Sequence, residues 1–303
     1  MPAETGTADF SVDAAREEAA YSLGVQAYLW GKPLLDYGRA VPAAIRAGGG
    51  ELNRFCKTDL AGTHTGGQVV TNICGFWDVR GEPVAVVVPE QTGQGDHKGD
   101  YVVQFGDMFE TFFHTLGGRQ GPQPGLYVIT GPGWEGALPE KAIRLPARTR
   151  MGVCVVQMVS GMSDAGFRMT PLSFHTRGFR GPPVPLAPYM CDAPPALVFF
   201  DRLGYWLRMA FPPWADDSDS LLGVFHQIGL SATHGFRWRT LDDPVRRGLA
   251  RAIRSGEEMV EAGRAQPYSP EDDAFPLHTA LTGYRLGALL AEREVRTKVR
   301  ISC

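Results

Sequence analysis

Several absences bound this chain before anything present in it is weighed. It lacks an excess of either charge: 30 basic residues stand against 33 acidic ones, a formal net charge of −3 over 303 residues. Such a surface gives no electrostatic basis for binding nucleic acid or an anionic membrane, which need clustered positive charge. Cysteines are few, at 56, 74, 154, 191 and 303. The count is odd and no pair has Cys-x-x-Cys spacing, which argues against a disulfide framework or structural zinc and fits a reducing cytoplasm. No window approaches the ~18 consecutive apolar residues of a membrane span. The start, MPAETGTADFSVDAAREEAA, has no basic n-region and no apolar h-region, so it is not read as a signal peptide. A Gly-x-Ser-x-Gly elbow, a phosphate loop and a His-Glu-x-x-His helix are all missing.

What is present builds a core. Hydrophobic residues make up 44% of the chain, while 37 glycines and 23 prolines supply many turns. Ser11 can cap a helix over VDAAREEAAYSLGVQAYLWG, which Pro33 ends or kinks. A shorter helix, LLDYGRAVPAAIRA, follows and stops at Gly48–Gly50. Strands are expected at Gln68–Ile73, Pro83–Val88, Tyr101–Phe105, Leu126–Thr130 and Val153–Val159, with a helix over Gly106–Leu116 among them. Arg177–Pro195 is too proline-rich for a helix and reads as an extended connector. Helices are expected at Ala196–Phe211, from Ser218 or Asp219 to His226, from Asp242 or Asp243 to about Ala262, and at Asp273–Arg296.

The fold class is therefore α+β. A helical lead (1–50) precedes a β-rich, sandwich or jelly-roll-like body with one helix (51–176). The Pro-rich connector (177–195) and a C-terminal helical region (196–303) follow.

The densest polar group is Asp107, Glu110 and His114. On a helix their spacing puts all three on one face, where they could transfer protons or hold a divalent metal, or be no more than a solvated face. Asn53, Arg54, Lys57 and His64 lie on a Gly/Thr-rich loop, where function often sits. The turn GPGWEG (131–136) carries Trp134, a pocket wall or a core plug. Asp216, Asp217 and Asp219 form an acidic cluster where a helix cap also belongs. His175, His226, His234 and His278 are scattered without a metal-binding pattern, and Ser160-Gly161 ends a strand in the wrong register for a nucleophile.

Several stretches in order carry a resemblance: AYLWGKPLLDY (27–37), LNRF (52–55), VVTN (69–72), DYVVQFGDMFETFF (100–113), GLYVITGPGWEGALP (125–139) and IRLPARTR (143–150). Together with FFDRLGYWLRMAFPPWADDSDSLLGVFHQIGL (199–230) they resemble the bacterial family known as domain of unknown function 1254. The resemblance implies a β-sandwich-like core with flanking helices and no particular reaction. It favours Tyr101, Gln104, Asp107, Asn53 and Arg54 as site residues, and Glu110 and His114 fall where the family pattern is looser. The sequence departs from the family after Asn72, where ICGFWDV replaces an Asp-Thr-Leu-Tyr-Ser block. Longer members continue into a companion β domain, domain of unknown function 1214, which is not expected within this chain.

The function expected is that of a cytoplasmic small-molecule tailoring enzyme of secondary metabolism. It would perform acid–base cyclisation or isomerisation in an aromatic-lined pocket. Asp107 or Glu110 would transfer the proton, His114 would assist, and Arg54 or Lys57 would stabilise negative charge. Tyr101, Gln104, Asn53, Asn72, Phe76, Trp77, Phe105, Phe109 and Trp134 would contact substrate. No cofactor is required, although a metal at Asp107, Glu110 and His114 would make a metal-dependent oxidoreductase. A third reading is a non-catalytic subunit completed by a separate β module. The expected partners are a small-molecule substrate and either a second copy or that β-domain protein, with no nucleic acid and no membrane.

Overall fold

The first helix is longer than its sequence predicts. In the computed structural model, α1 runs unbroken over Val12–Ala47. Ser11 caps it, its Oγ accepting from the Ala14 N–H at 3.1 Å. An interior proline removes one hydrogen bond and crowds the preceding turn, at about 3 kcal/mol. Pro33 nevertheless breaks nothing, because Leu34, Leu35, Tyr37 and Val41 around it are all buried. Each large apolar side chain so buried returns ~1.5–3 kcal/mol.

The structure describes residues 11–47, 51–58, 64–65, 68–90, 101–109, 111–118, 121–159, 164, 166–178, 186 and 188–264. Glu110, Ser160-Gly161, most of the Pro-rich connector, the expected helix at 273–296, His278 and Cys303 lie outside them. The described chain divides into two compact units. One holds residues 11–35, 189–208 and 213–264, and the other 36–188 and 209–212.

The first unit is helical. It contains the N-terminal part of α1, most of α3 (Val198–Ala210), α4 (Ala215–Ser218), α5 (Ser220–Phe225), α6 (Asp243–Arg264) and a small pair, β11 (Leu230–Ser231) with β12 (Gly235–Phe236). Tyr28 of α1 stacks on Phe199 of α3 with ring centroids 4.0 Å apart. Arg247 and Arg251 of α6 bind Glu17 of α1 at 2.8 and 3.0 Å. These surface pairs add little each.

The second unit is a sandwich. Its first sheet has the order β1 (Cys56–Thr58), β3 (Gln68–Asp78), β9 (Met151–Val159), β5 (Tyr101–Asp107) and β6 (Phe112–Gly117), with β2 (His64–Thr65) beside β3. The second has the order β10 (Arg168–Pro171), β4 (Val84–Val88), β7 (Gly125–Thr130) and β8 (Ile143–Pro146). A short helix, α2 (Leu172–Arg177), follows β10. Ile73, Trp77, Tyr101, Val103, Phe105, Cys154, Val156 and Met158 from the first sheet pack in one core with Val84, Val86, Val88, Tyr127, Ile129, Leu145 and Met169 from the second. Every expected strand is present.

One element is overturned. The stretch expected as a helix over Gly106–Leu116 is the end of β5, a turn, and β6. Cross-strand pairing decides it: Val102–Phe105 are laddered on one side to β9 and on the other to Gly117–His114. A helix there would forfeit that pairing for a polar face with nothing to bury.

The core is tight where β3 crosses β9. A Cβ on Gly152 would lie 2.0 Å from Trp77 Cζ2 and 2.2 Å from the Gly106 carbonyl oxygen. Overpacking of this kind costs ~1–3 kcal/mol or more. Gly152→Ala is expected to lower the urea midpoint by at least that equivalent, without changing the far-ultraviolet dichroism of the residual fold.

Candidate functional site

Alternation along the strands sorts the expected site residues, because neighbours in sequence face opposite sides of a sheet. Trp77, Tyr101 and Phe105 belong to the core between the sheets. Phe76 faces the other way, edge-on to Tyr37 of α1 at 5.4 Å. Gln104, between Val103 and Phe105, also faces away from that core. A single pocket walled by Phe76 together with Trp77, as the sequence predicts, is therefore not formed. Asn72 pairs with Thr58 and Gln157, and Lys57 with Ile73, but their side chains are not among those described.

Other candidates hold the fold together. Asn53 adopts φ 60°, a left-handed conformation that asparagine tolerates. Its side chain accepts from Asp78 N–H at 2.7 Å and donates to Asp78 O at 3.1 Å, while its own N–H donates to Phe76 O at 2.8 Å. It stands in for a missing neighbour strand at the end of β3. Arg54 is exposed, 3.7 Å from Glu51. Trp134 sits in a turn closed by its N–H on Gly131 O at 3.2 Å, with the Arg144 guanidinium 5.3 Å from its ring. The acidic cluster is structural too. Asp219 accepts from Leu221 and Leu222 N–H to cap α5. Asp216 accepts from Ala232 and Thr233 N–H at 2.5 and 2.8 Å and lies 3.3 Å from His226 Nε2.

Asp107 is 2% exposed. Its Oδ1 accepts from Phe109 N–H at 2.8 Å and Thr111 N–H at 3.0 Å, which closes the turn between β5 and β6. Burial pushes its pKa up, against the pull of those amides and of Arg148. The shared helical face for Asp107, Glu110 and His114 is gone. Among the described residues no group of three His, Cys, Asp or Glu is arranged for a metal.

His114 gains in importance by another route. Phe105 pairs with His114, but Gly106 pairs with Phe112, so Phe113 is an extra residue in β6. Such a bulge re-aims side chains. Here Phe113 turns inward, edge-on to Trp77 at 6.4 Å, and so does His114, 5.9 Å from the Phe105 ring and 6.1 Å from the Tyr127 ring. Phe112 stays outside, 44% exposed. Burial among these rings lowers the pKa of the half-buried imidazole, which keeps it neutral and able to accept a proton at pH 7.

Tyr127, whose ring His114 faces, and a second buried phenol, Tyr101, are both anchored on Gln123. Tyr101 Oη accepts from Gln123 N–H at 2.9 Å, and Tyr127 Oη donates to Gln123 O at 3.1 Å. The Tyr127 proton is thus committed. The Tyr101 proton has no acceptor among the described residues. Burial raises both phenol pKa values, so both stay protonated. Phe167 packs edge-on to Tyr101 at 5.4 Å. The group is a neutral imidazole against the Tyr127 ring, with Gln123 joining Tyr127 to the second phenol, Tyr101, in aromatic surroundings. Tyr127, Gln123 and Phe167 were missed from sequence, although Leu126–Thr130 reads as a strand and its alternation puts Tyr127 and Ile129 on one face. A separate open groove of about 460 Å³ is lined by Glu82, Leu138, Pro139, Leu172, Ser173 and Arg177. The Glu82 carboxylate there is held by Ser173 N–H and Oγ, both at 2.7 Å.

A sandwich of two antiparallel-rich sheets with this inner-face group defines the body of the protein. Residues 53–169 match the family described as Protein of unknown function (DUF1254). Among solved structures, the VPA0106 protein from Vibrio parahaemolyticus is similar with a TM-score of 0.64 at 17% identity, over 88% of this chain and 67% of that one. It shares the fold. An uncharacterized protein from Burkholderia cenocepacia aligns over 86% of this chain and 62% of its own at 9% identity, with a TM-score of 0.30. No curated protein matches the chain.

Two outcomes are expected from these assignments. Asn53→Ala removes both side-chain bonds to Asp78 and leaves alanine in a left-handed conformation, so unfolding free energy should fall by about 2 kcal/mol; Asn53→Gly, free of that strain, should lose less. For His114 the folded state binds its proton less readily than the unfolded chain, whose histidine titrates near 6.5. The unfolded state therefore takes up more protons below that pH, and the contribution of His114 to stability is lost as pH falls through this window. Urea midpoints between about pH 5 and 7.5 should show this slope, and it should diminish in His114→Gln.

Proposed function

We propose that the chain is a small-molecule enzyme of acid–base type, catalysing a cyclisation or isomerisation by proton transfer at His114. The observation that carries this reading is a half-buried imidazole against the Tyr127 ring, whose hydroxyl shares Gln123 with the buried hydroxyl of Tyr101, inside an aromatic wall. His114 accepts a proton from carbon or oxygen of the substrate. Tyr101 donates a hydrogen bond to the oxygen on which charge develops. Tyr127 holds Gln123, and through it the orientation of Tyr101. Asp107, first expected to carry the proton, supports the turn that presents the strand bearing His114. In this reading the substrate is largely apolar and carries a carbonyl or enol oxygen, no cofactor is needed, and the work is a cytoplasmic biosynthetic step. No described helix is long and apolar enough to cross a membrane.

The test compares wild type, His114→Gln and Tyr101→Phe on a metabolite extract of the native host, followed by mass spectrometry. Loss of a general base or of its partner donor should slow product formation by roughly 10²–10⁴-fold. Unchanged turnover in His114→Gln would sink the reading. A stoichiometric transition metal in the purified protein, required for turnover, would replace it with the metal-dependent oxidoreductase.

A further inference from the structure

Two buried polar groups at the far end of the same inner face are not used by the proton-transfer scheme. Trp77 is fully buried and its Nε1–H meets no acceptor among the described residues. Asp107 is nearly as buried, and both of its side-chain hydrogen bonds fall on Oδ1. The two residues lie in register across one intervening strand: Trp77 pairs with Gly152 on β9, and Gly152 pairs with Asp107 on β5. Directly opposed residues share a face, so all three share the inner one, with Trp77 and Asp107 about 10 Å apart at Cα.

The indole covers that gap. The Cβ that Gly152 lacks would sit 2.5 Å from Trp77 Cε2, the atom that carries Nε1, and 2.2 Å from the Gly106 carbonyl oxygen. The N–H edge of the indole therefore lies over Gly152, beside the peptide that leads into Asp107. A buried N–H left without an acceptor costs ~1–3 kcal/mol, and indoles in cores normally find one. The second carboxylate oxygen accepts no hydrogen bond from a described residue and is free to take one. A carbonyl could serve only the indole, and an ammonium only the carboxylate. A hydroxyl serves both, accepting from one and donating to the other.

We propose that Trp77 Nε1–H and Asp107 Oδ2 together bind one hydroxyl group, supplied by a buried water or by a small-molecule ligand. The inference does not rest on the role given to His114, and its test reads the indole instead of turnover.

The test uses the full-length chain with ¹⁵N-labelled tryptophan, the Trp77 indole resonance being assigned through its own side-chain-to-backbone correlations. A cross-peak from the Trp77 indole proton to a long-lived water identifies the hydroxyl as water. If no such water is seen, phenol is added as a hydroxyl-bearing aromatic probe, and a saturable shift of the Trp77 indole proton identifies the site as one for a ligand hydroxyl. In either case the effect should be lost in Asp107→Asn, which keeps an oxygen for the turn but replaces the accepting Oδ2. The proposal is overturned if the wild-type indole proton contacts neither water nor phenol. It is equally overturned if that proton bonds directly to the Asp107 carboxylate. Both wild-type outcomes decide the matter even where the variant does not fold.

Discussion

The unbroken pairing of β3 with β9, from Val70 opposite Val159 to Asp78 opposite Met151, governs where side chains point throughout the sandwich. Once that register exists, the two-residue period of a strand leaves no choice about which side chains meet. Trp77 must face the second sheet and Phe76 must face away. Gly75 and Gly152 are held to glycine, because the Arg54 carbonyl and the Trp77 indole occupy the space their side chains would need. A slip of one residue would expose the core of both strands and bury their outer face. The ladder is held at its end by Asn53, which supplies backbone-like bonds to Asp78 where no strand is available.

The inner face combines two kinds of polar burial. At one end the charge of Asp107 is compensated by backbone amides, and it organises a turn. Further along the face the groups are uncharged: an imidazole opposite Phe105 whose protonation burial disfavours, and two phenols whose ionisation burial disfavours. Uncharged groups can be held among aromatic rings without the desolvation penalty that a lone carboxylate or ammonium would carry. Proton transfer between such groups creates charge only during reaction, where low polarity strengthens each interaction with it.

Much of this architecture is legible in the sequence, and the misreadings have physical causes. PVAVVV and GLYVIT are β-branched, apolar and bounded by glycine and proline, so local preference and final structure agree. The stretch GDMFETFFHTL spaces its polar residues as a helix would, and only the long-range ladder to β5 makes it a strand. Pro33 reads as a helix end because the burial around it is invisible locally. The capping role of Asp219 was visible as an alternative, since short polar residues before an apolar run commonly cap. The pair of buried phenols was half visible: Tyr101 stands out in its strand, but its link through Gln123 to Tyr127 joins residues that only the fold brings together.

The extra residue at Phe113 separates two kinds of change in the β5–β6 hairpin. From Val102 to Phe105 the ladder with Gly117–His114 is regular, and beyond the bulge the chain is governed by the Asp107-bound turn. A substitution at exposed Thr111 or Phe112 lies beyond the bulge, which separates it from His114. The exposed side of the hairpin can therefore change, in shape and in charge, beside an imidazole that stays in place. Descendants of one such domain would differ in what they present to solvent there while keeping the same inner face.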